Sequence, residues 1–459
     1  MLFNSITFLF VFLVVHQLFW RMPSKHRKHW LLLSSMVFYA WWNPPFLLHF
    51  LAVVVISYGF VRLLLRERKT LYLVIAVSLN LANLIFFKYT NSALTIAGEE
   101  FGLTEALRWK QELGLFLPLA ISFYTFQIIA FLVDTKRGEI EEISFLDFIV
   151  FIMFFPQLIA GPIMRHRDFL PQLDRAEFKR DDQYVGLYLI ALGTIKKVLI
   201  ADEIAALIDP VYADPTKYNF WTVIITAWAF TGQVYCDFSG YTDFARGLAR
   251  MLGYRIPENF YMPNWATSYT GVWRHWHVTL STWLRDYLYI PLGGNRVSAT
   301  RFYMNLILVM SLGGIWHGNT YTYFFWGFSH GVFLMIERMV GRDKDPETWP
   351  GMIVGWIVMQ AGWLSAAVFF RSPDLVTAGA VFQTMAGFSD GVETLPKILQ
   401  LVQLQLILMA IQQLHRVRAR IVPYLLEYAP YLLPALAVTL FYLVARIVRP
   451  ADEFIYFQF

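Results

Sequence analysis

The stretch Leu2-Phe-Asn-Ser-Ile-Thr-Phe-Leu-Phe-Val-Phe-Leu-Val-Val-His-Gln-Leu-Phe-Trp20, followed at once by Arg21 and then by Lys25, Arg27 and Lys28, decides what kind of protein this is. It runs 19 residues without a charged side chain. At about 1.5 Å per helical residue it rises roughly 28 Å, close to the thickness of a bilayer's hydrocarbon core. No charged side chain precedes it and no small-residue cleavage site follows, so it reads as a retained span and not as a leader. The loop after it is basic without a single acid. By the positive-inside rule that loop faces the cytoplasm and the N-terminus faces outward.

The rest of the chain repeats this pattern. Hydrophobic residues make up 57% of the 459, charged residues only 15%, and the mean hydropathy is +0.47. Soluble domains carry about 25% charge, so this chain cannot cover a water-facing surface. That excludes a soluble globular enzyme and a disordered chain. A single cysteine, Cys236, excludes an internal disulfide and a cysteine-rich metal site. The net charge of +5 fits basic cytoplasmic loops. No basic tract interleaved with aromatics points to nucleic acid.

Further apolar runs are Phe46–Leu65, Leu71–Phe87, Leu113–Val133, Phe145–Gly161, Tyr184–Ala201, Phe220–Tyr235, Asn305–Trp316, Thr320–Ile336, Met352–Phe370, Ile398–Leu414 and Tyr431–Val448. Trp30–Trp42 adds a segment that spans or dips. The expected fold class is an all-α polytopic membrane protein of about 10–13 transmembrane or re-entrant helices. Residues 1–459 read as one membrane-embedded domain, with no room for a soluble one. Residues 91–112, rich in Glu, read as an outside loop. Phe145–Gly161 has basic residues at both ends, Lys136 and Arg137 before it and Arg165 and Arg167 after it. It is either re-entrant, broken at Pro156, Gly161 and Pro162, or a normal span with a weakly basic outer loop.

Residues 237–300 are too polar to span and too aromatic for a free loop. On a helical wheel over Trp273–Tyr287, residues Trp273, Trp276, Leu280, Trp283 and Tyr287 share one face. Arg274, His277, Ser281 and Arg285 fall on a separate stripe. An interfacial anchor explains the Trp and Arg residues but not His277, because a weak base anchors poorly in lipid. His317 lies in Leu312-Gly-Gly-Ile-Trp-His-Gly318, where two apolar runs meet. A buried ionisable group there costs several kcal/mol unless it is paired or functional. Its glycine neighbours permit a helix break and close approach of a substrate. A neutral imidazole at that depth has the form a general base needs, while a structural histidine bonded across helices is the alternative.

The remaining polar groups have plainer readings. His16, His49 and His330 are packing or polar glue between helices, His330 within a Gly327–Gly331 contact motif. Lys196-Lys197 and the Asp243, Arg246 and Arg250 face read as paired or snorkelling charges, with Asp243 able to neutralise Arg246. Cys236 is core, with an acyl relay as the alternative. No HExxH or Cys/His pair suggests a metal site, and none is expected.

These residues resemble a known family. Trp276-His277-Val-Thr-Leu-Ser-Thr-Trp-Leu-Arg-Asp-Tyr-Leu-Tyr-Ile-Pro-Leu-Gly-Gly-Asn295 and Gly314-Ile-Trp-His317-Gly318 look like the membrane-bound O-acyltransferases, in the bacterial branch that acetylates exported polysaccharides such as alginate. Pro118–Gln127, Phe155–Pro162, Lys196–Asp202, Tyr235–Asp243 and Phe454–Phe459 fit too, and the signature core covers residues 118–318. Trp363–Arg371 departs, with Ala366-Ala367 where bulkier residues are expected, a change that leaves the sites untouched. The resemblance implies helices ringed around a thinned centre with a tunnel. It implies that His317 is the essential histidine and His277 its polar partner. It implies a cytoplasmic acyl donor, acetyl-CoA, for which Arg274, Ser281 and Arg285 are the binding candidates, and no resident cofactor. The acceptor is a polysaccharide hydroxyl or an extracytoplasmic relay protein, and the location is the bacterial inner membrane in contact with lipid. D-alanyl transfer to teichoic acid, or a non-enzymatic transporter or flippase, would use the same spans and buried polar groups.

Overall fold

A computed structural model of the chain describes residues 6–342, 345–389, 391–413 and 427–428. The expected span Tyr431–Val448 and the terminal Phe454–Phe459 lie outside the described residues. Apart from an isolated bridge between Tyr218 and Glu393, the described residues form helices and loops without strands. Pro44–Glu67, Thr70–Glu99, Arg180–Ala213 and Trp349–Arg371 are long and apolar enough to cross a bilayer. The chain is an all-α, multi-pass membrane protein. It gathers into two compact units, Met1–Ile190 with Phe244–Pro257, and Ala191–Asp243 with Glu258–Phe459.

In the first unit the sequence pattern and the helices agree closely. Ile6–Arg21, Ser24–Trp42 and Pro44–Glu67 follow one another with tight joins. Asn43 ends the second and caps the third, its side chain accepting from Phe46 N, with prolines at the first two helical positions. Leu48, Val55, Leu71 and Val74 are exposed, as side chains that face lipid must be. Inward, Phe50 stacks on Tyr124 with ring centres 4.4 Å apart. The loop lysine Lys28 reaches Asp147 at 2.6 Å and Asp174 at 2.9 Å. His16 meets Gln183 at 2.8 Å and is the polar glue expected of it.

Two segments of this unit differ from the sequence pattern. Residues 91–112 are not a loop. Thr70–Glu99 runs on as helix, and Thr104–Leu113 forms a second helix ended by Gly114 in a left-handed conformation. The acids there are surface residues on helices, with Arg108 held to Glu112 across one turn at 2.8 Å. At Phe145, the helix stops after nine residues, at Met153, and a single turn, Phe155–Leu158, follows. Nine residues rise only about 14 Å, half of what a crossing needs, which favours the re-entrant alternative. The break is fully buried, and protein supplies partners to its backbone. Gln127 Nε2 donates to Phe151 O at 2.9 Å, and Phe155 N donates to Ser35 Oγ at 3.2 Å.

The second unit holds the charged and aromatic middle of the chain. The helix that begins at Phe220 does not end at Tyr235. It continues to Met251, so the polar region starts inside a 32-residue helix with Asp237 and Asp243 buried. The aromatics that ruled out a free loop are core: Phe238, Tyr241, Phe260, Tyr269, Trp276 and Trp283 are all buried. Cys236 is buried among them. Ala299–His317 and Tyr321–Met339 form an antiparallel pair joined by a short turn. A Cβ on Gly314 would fall 2.9 Å from Gly327 Cα, and one on Gly331 would fall 2.6 Å from Ile307 Cα. The helix break expected of the glycines around His317 falls at Gly318, where the helix ends, and not at Gly313 or Gly314, which stay helical. Gly314 and Gly331 let two helices touch backbone to backbone, which is the contact role foreseen for Gly327 and Gly331.

Candidate active site

His317 is the last residue of the helix Ala299–His317, and Gly318 follows in extended backbone. Its side chain is 4% exposed. Three rings stand edge-on around the imidazole: Trp326 at 4.8 Å, Trp316 at 4.9 Å and Phe370 at 5.6 Å between centres. The box is apolar and excludes water. Phe370 comes from Trp349–Arg371, four residues after the Ala366 at which the segment departs from the family pattern. Ala366 and Ala367 are buried behind it.

His277 sits where the expected continuous helix fails. Tyr269–His275 ends, Trp276 is extended, His277 adopts φ 42° and ψ 53°, and Val278–Leu284 begins. Left-handed backbone at a non-glycine residue costs about 1–2 kcal/mol and persists only where neighbours impose it. They do so here. Tyr261 N donates to His275 O at 2.9 Å before the corner, and Val278 N donates to Asn259 O at 3.0 Å after it. Thr279 donates to Asn259 Oδ1 through both N, at 3.2 Å, and Oγ1, at 2.7 Å. The corner splits the polar stripe read from the wheel. His277 turns fully inward, Ser281 is half-buried with its hydroxyl on Trp276 O at 3.2 Å, and Arg274 and Arg285 are exposed. Arg285 binds Asp286 at 2.6 Å.

The corner brings two histidines together. The rings of His277 and His317 lie 6.4 Å apart, centre to centre, tilted by 66°. Phe238 closes against His277 at 4.6 Å. His277 is 0% exposed, and no neighbouring residue partners either of its ring nitrogens. It lies outside the four long apolar helices. Burial, which disfavours the charged ring, pushes its pKa down to about 3. A neutral imidazole has one N–H donor and one bare nitrogen. A small polar group bound to one ring at hydrogen-bond distance would thus lie close to the other, among buried aromatic side chains. That is an arrangement for moving a proton at an oxygen and steadying charge beside it.

Trp326, Phe370, Phe238 and Asn259 were not singled out from the sequence. Aromatics are so frequent in this chain that nothing in the pattern marks those three rings, and no motif marks Asn259. Elsewhere, Asp134, Glu139 and His166 bring ligand-type atoms within 4.8 Å of one another, a grouping that no short motif announces. Asp134 there meets His166 at 3.2 Å and Arg137 at 3.7 Å. The two adjacent lysines read as paired are paired, and Asp243 meets a lysine. Lys196 meets Asp243 at 2.6 Å, and Lys197 meets Asp202 and Asp237, each at 2.7 Å.

Comparison with known proteins shows the family to which the chain belongs. The family model described as MBOAT, membrane-bound O-acyltransferase family, matches residues 37–371. A probable alginate O-acetylase of Pseudomonas aeruginosa is 40% identical over 408 residues, covering 84% of this chain and 75% of the relative. A peptidoglycan O-acetyltransferase of Helicobacter pylori is 37% identical over 438 residues, covering 85% of this chain and 80% of the relative. A teichoic acid D-alanyltransferase of Lacticaseibacillus rhamnosus is 27% identical and covers 59% of this chain and 69% of its own length.

Proposed function

The chain belongs to the membrane-bound O-acyltransferase family, and from that premise we propose that it moves an acetyl group from cytoplasmic acetyl-CoA to a hydroxyl acceptor, for O-acetylation of an exported polysaccharide such as alginate. The observation that carries the reading is the approach of two buried histidines, His277 and His317, to 6.4 Å inside an aromatic enclosure. Acetyl rather than D-alanyl as the group transferred is supported by the 40% and 37% identity to O-acetylating relatives against 27% to the D-alanyl enzyme.

In this mechanism the acceptor oxygen attacks the thioester carbonyl carbon while neutral His317 takes the hydroxyl proton. The carbonyl oxygen gains charge in the tetrahedral intermediate, and the single N–H of neutral His277 steadies it. The C–S bond then breaks, the CoA thiolate leaves, and the proton held by His317 returns to it. The aromatic walls keep water from competing as the acceptor. Arg285 and Arg274, exposed on the same segment, suit the phosphates of the donor, with Ser281 nearer the corner. The acceptor is the polysaccharide itself or a relay protein on the far side, and the membrane is the bacterial inner membrane.

The test is transfer from radiolabelled acetyl-CoA by purified protein, together with mass analysis of surface polysaccharide from cells with and without the chain. Loss of acetyl groups from the polymer without the chain, and release of free CoA in vitro, support the reading. A thioester left intact in both assays points to transport and sinks it.

A further inference from the structure

One buried titratable group close to the site has no part in the chemistry above. His330 is 0% exposed on the helix Tyr321–Met339. Its Nδ1 lies 2.6 Å from the Tyr269 hydroxyl, and its Nε2 has no hydrogen-bond partner. Three indoles surround it: Trp326 at 4.6 Å, Trp273 at 5.0 Å and Trp363 at 5.1 Å between ring centres. The tyrosine hydroxyl either donates to Nδ1 or accepts from it. If it accepted, the hydroxyl's own proton would have no acceptor at this contact. If it donates, Nδ1 is the acceptor and the ring proton sits on Nε2. The second arrangement is the one this contact supports.

His330 is linked through its neighbours to both histidines of the site. Trp326, one turn before it on the same helix, is the ring packed 4.8 Å from His317. Tyr269, across from it, is the first residue of the seven-residue helix that leads into the His277 corner. Trp326, His330, Phe333 and Glu337 share one helical face. Glu337, two turns further on, accepts from the Tyr269 and Thr270 backbone N–H groups, the second at 2.7 Å, and from Thr270 Oγ1 at 2.6 Å. Tyr269 cannot retreat, because Gly362 lies against its ring so closely that a Cβ there would fall 3.0 Å from Tyr269 Cε2. One face of one helix therefore holds the wall behind His317 and the stem that aims His277.

We propose that His330 is a positioning residue for acyl transfer: its bond to the Tyr269 hydroxyl locks Trp326 and the Tyr269–His275 stem in one register, and so sets the separation of His277 and His317. This deepens the function proposed above and rests on it. A displacement of about 1 Å at reacting groups costs on the order of a hundredfold in rate, so the residue acts on turnover and leaves donor affinity alone.

The experiment compares His330→Phe, His330→Gln, Tyr269→Phe and the double variant His330→Phe/Tyr269→Phe, with kcat and donor KM measured separately using acetyl-CoA. His330→Phe keeps volume and loses the acceptor, and kcat falls at least tenfold with KM unchanged. His330→Gln supplies an amide oxygen to accept from Tyr269 and retains an N–H donor, and it keeps kcat within about threefold of the parent. Tyr269→Phe removes one oxygen atom and lowers kcat, and the double variant is no slower than His330→Phe because the two changes break the same bond. Equal loss in Gln and Phe variants, additive losses in the double variant, or a rise in KM at constant kcat each overturn the proposal. An unmodified protein that transfers no acetyl group defeats the acyltransfer reading instead, and the two failures are told apart by that control.

Discussion

Two buried polar regions of the second unit are built on opposite terms. Around Lys196 and Lys197 every cation faces a carboxylate within 2.7 Å. Both lysines lie in the seven-residue π-helix Ile195–Ala201, and as helical neighbours they project in different directions and reach different acids. Gly240 lets the partner helix approach, for a Cβ there would fall 2.9 Å from Gly193 O. At His277 the backbone is strained, the side chain is fully buried, and no neighbour answers its ring nitrogens. On the function proposed above, the first region serves the fold and the unanswered imidazole serves a group that arrives from outside.

That contrast is broken or sharpened most by His317→Ala. Transfer should fall by about 10² to 10⁴, the worth of a general base, while the amount of protein in the membrane stays level. Protein loss in step with activity would make His317 a structural group like the lysines. Lys197→Met should do the reverse. It strips the counter-charge from buried Asp237, and an uncompensated buried charge costs about 3–5 kcal/mol. The expected readout is a lowered melting midpoint in detergent with residual activity per folded molecule intact, and partial recovery when Asp237→Leu is added. A Lys197→Met protein that melts normally but transfers nothing moves the lysine into the chemistry.

His277→Gly comes next. Transfer should drop tenfold or more, yet stability should change little, because relief of about 1 kcal/mol of left-handed strain offsets part of the lost packing. A large fall in melting midpoint with normal turnover would show that the corner serves the fold. The smallest effect is expected of Arg285→Ala. Its exposed pair with Asp286 is worth under about 1 kcal/mol, so the melting midpoint holds while the donor KM rises a few-fold. An unchanged KM removes Arg285 from the donor grip.

The sequence showed most where one residue type repeats along one element. The spans from Phe46 and Met352 appear as helices within a few residues of their apolar runs at both ends, and the span from Leu71 does so at its start. The contact role of Gly327 and Gly331 and the pairing of the lysines were readable too, since small residues and polar groups in apolar surroundings have few other outcomes. The helix over 91–99 escaped because a charge count registers polarity and not backbone. The wheel over Trp273–Tyr287 failed for a sharper reason. It assumes one rotation per residue, and a single left-handed residue resets the rotation for everything after it. Trp276 extended and His277 left-handed are imposed by Asn259 and Tyr261, which lie outside the window being read.

Class and chemistry belong to the chain's own composition: scarce charge with recurrent apolar runs leaves helices in a bilayer as the outcome, and a histidine between such runs needs a partner or a task. Which groups meet was decided by folding alone. Phe370 against His317, Tyr269 on His330, and His277 within 6.4 Å of His317 join residues tens of positions apart. No period relates such residues, because their contact depends on how close one helix lets another come and where a neighbouring backbone forces a turn.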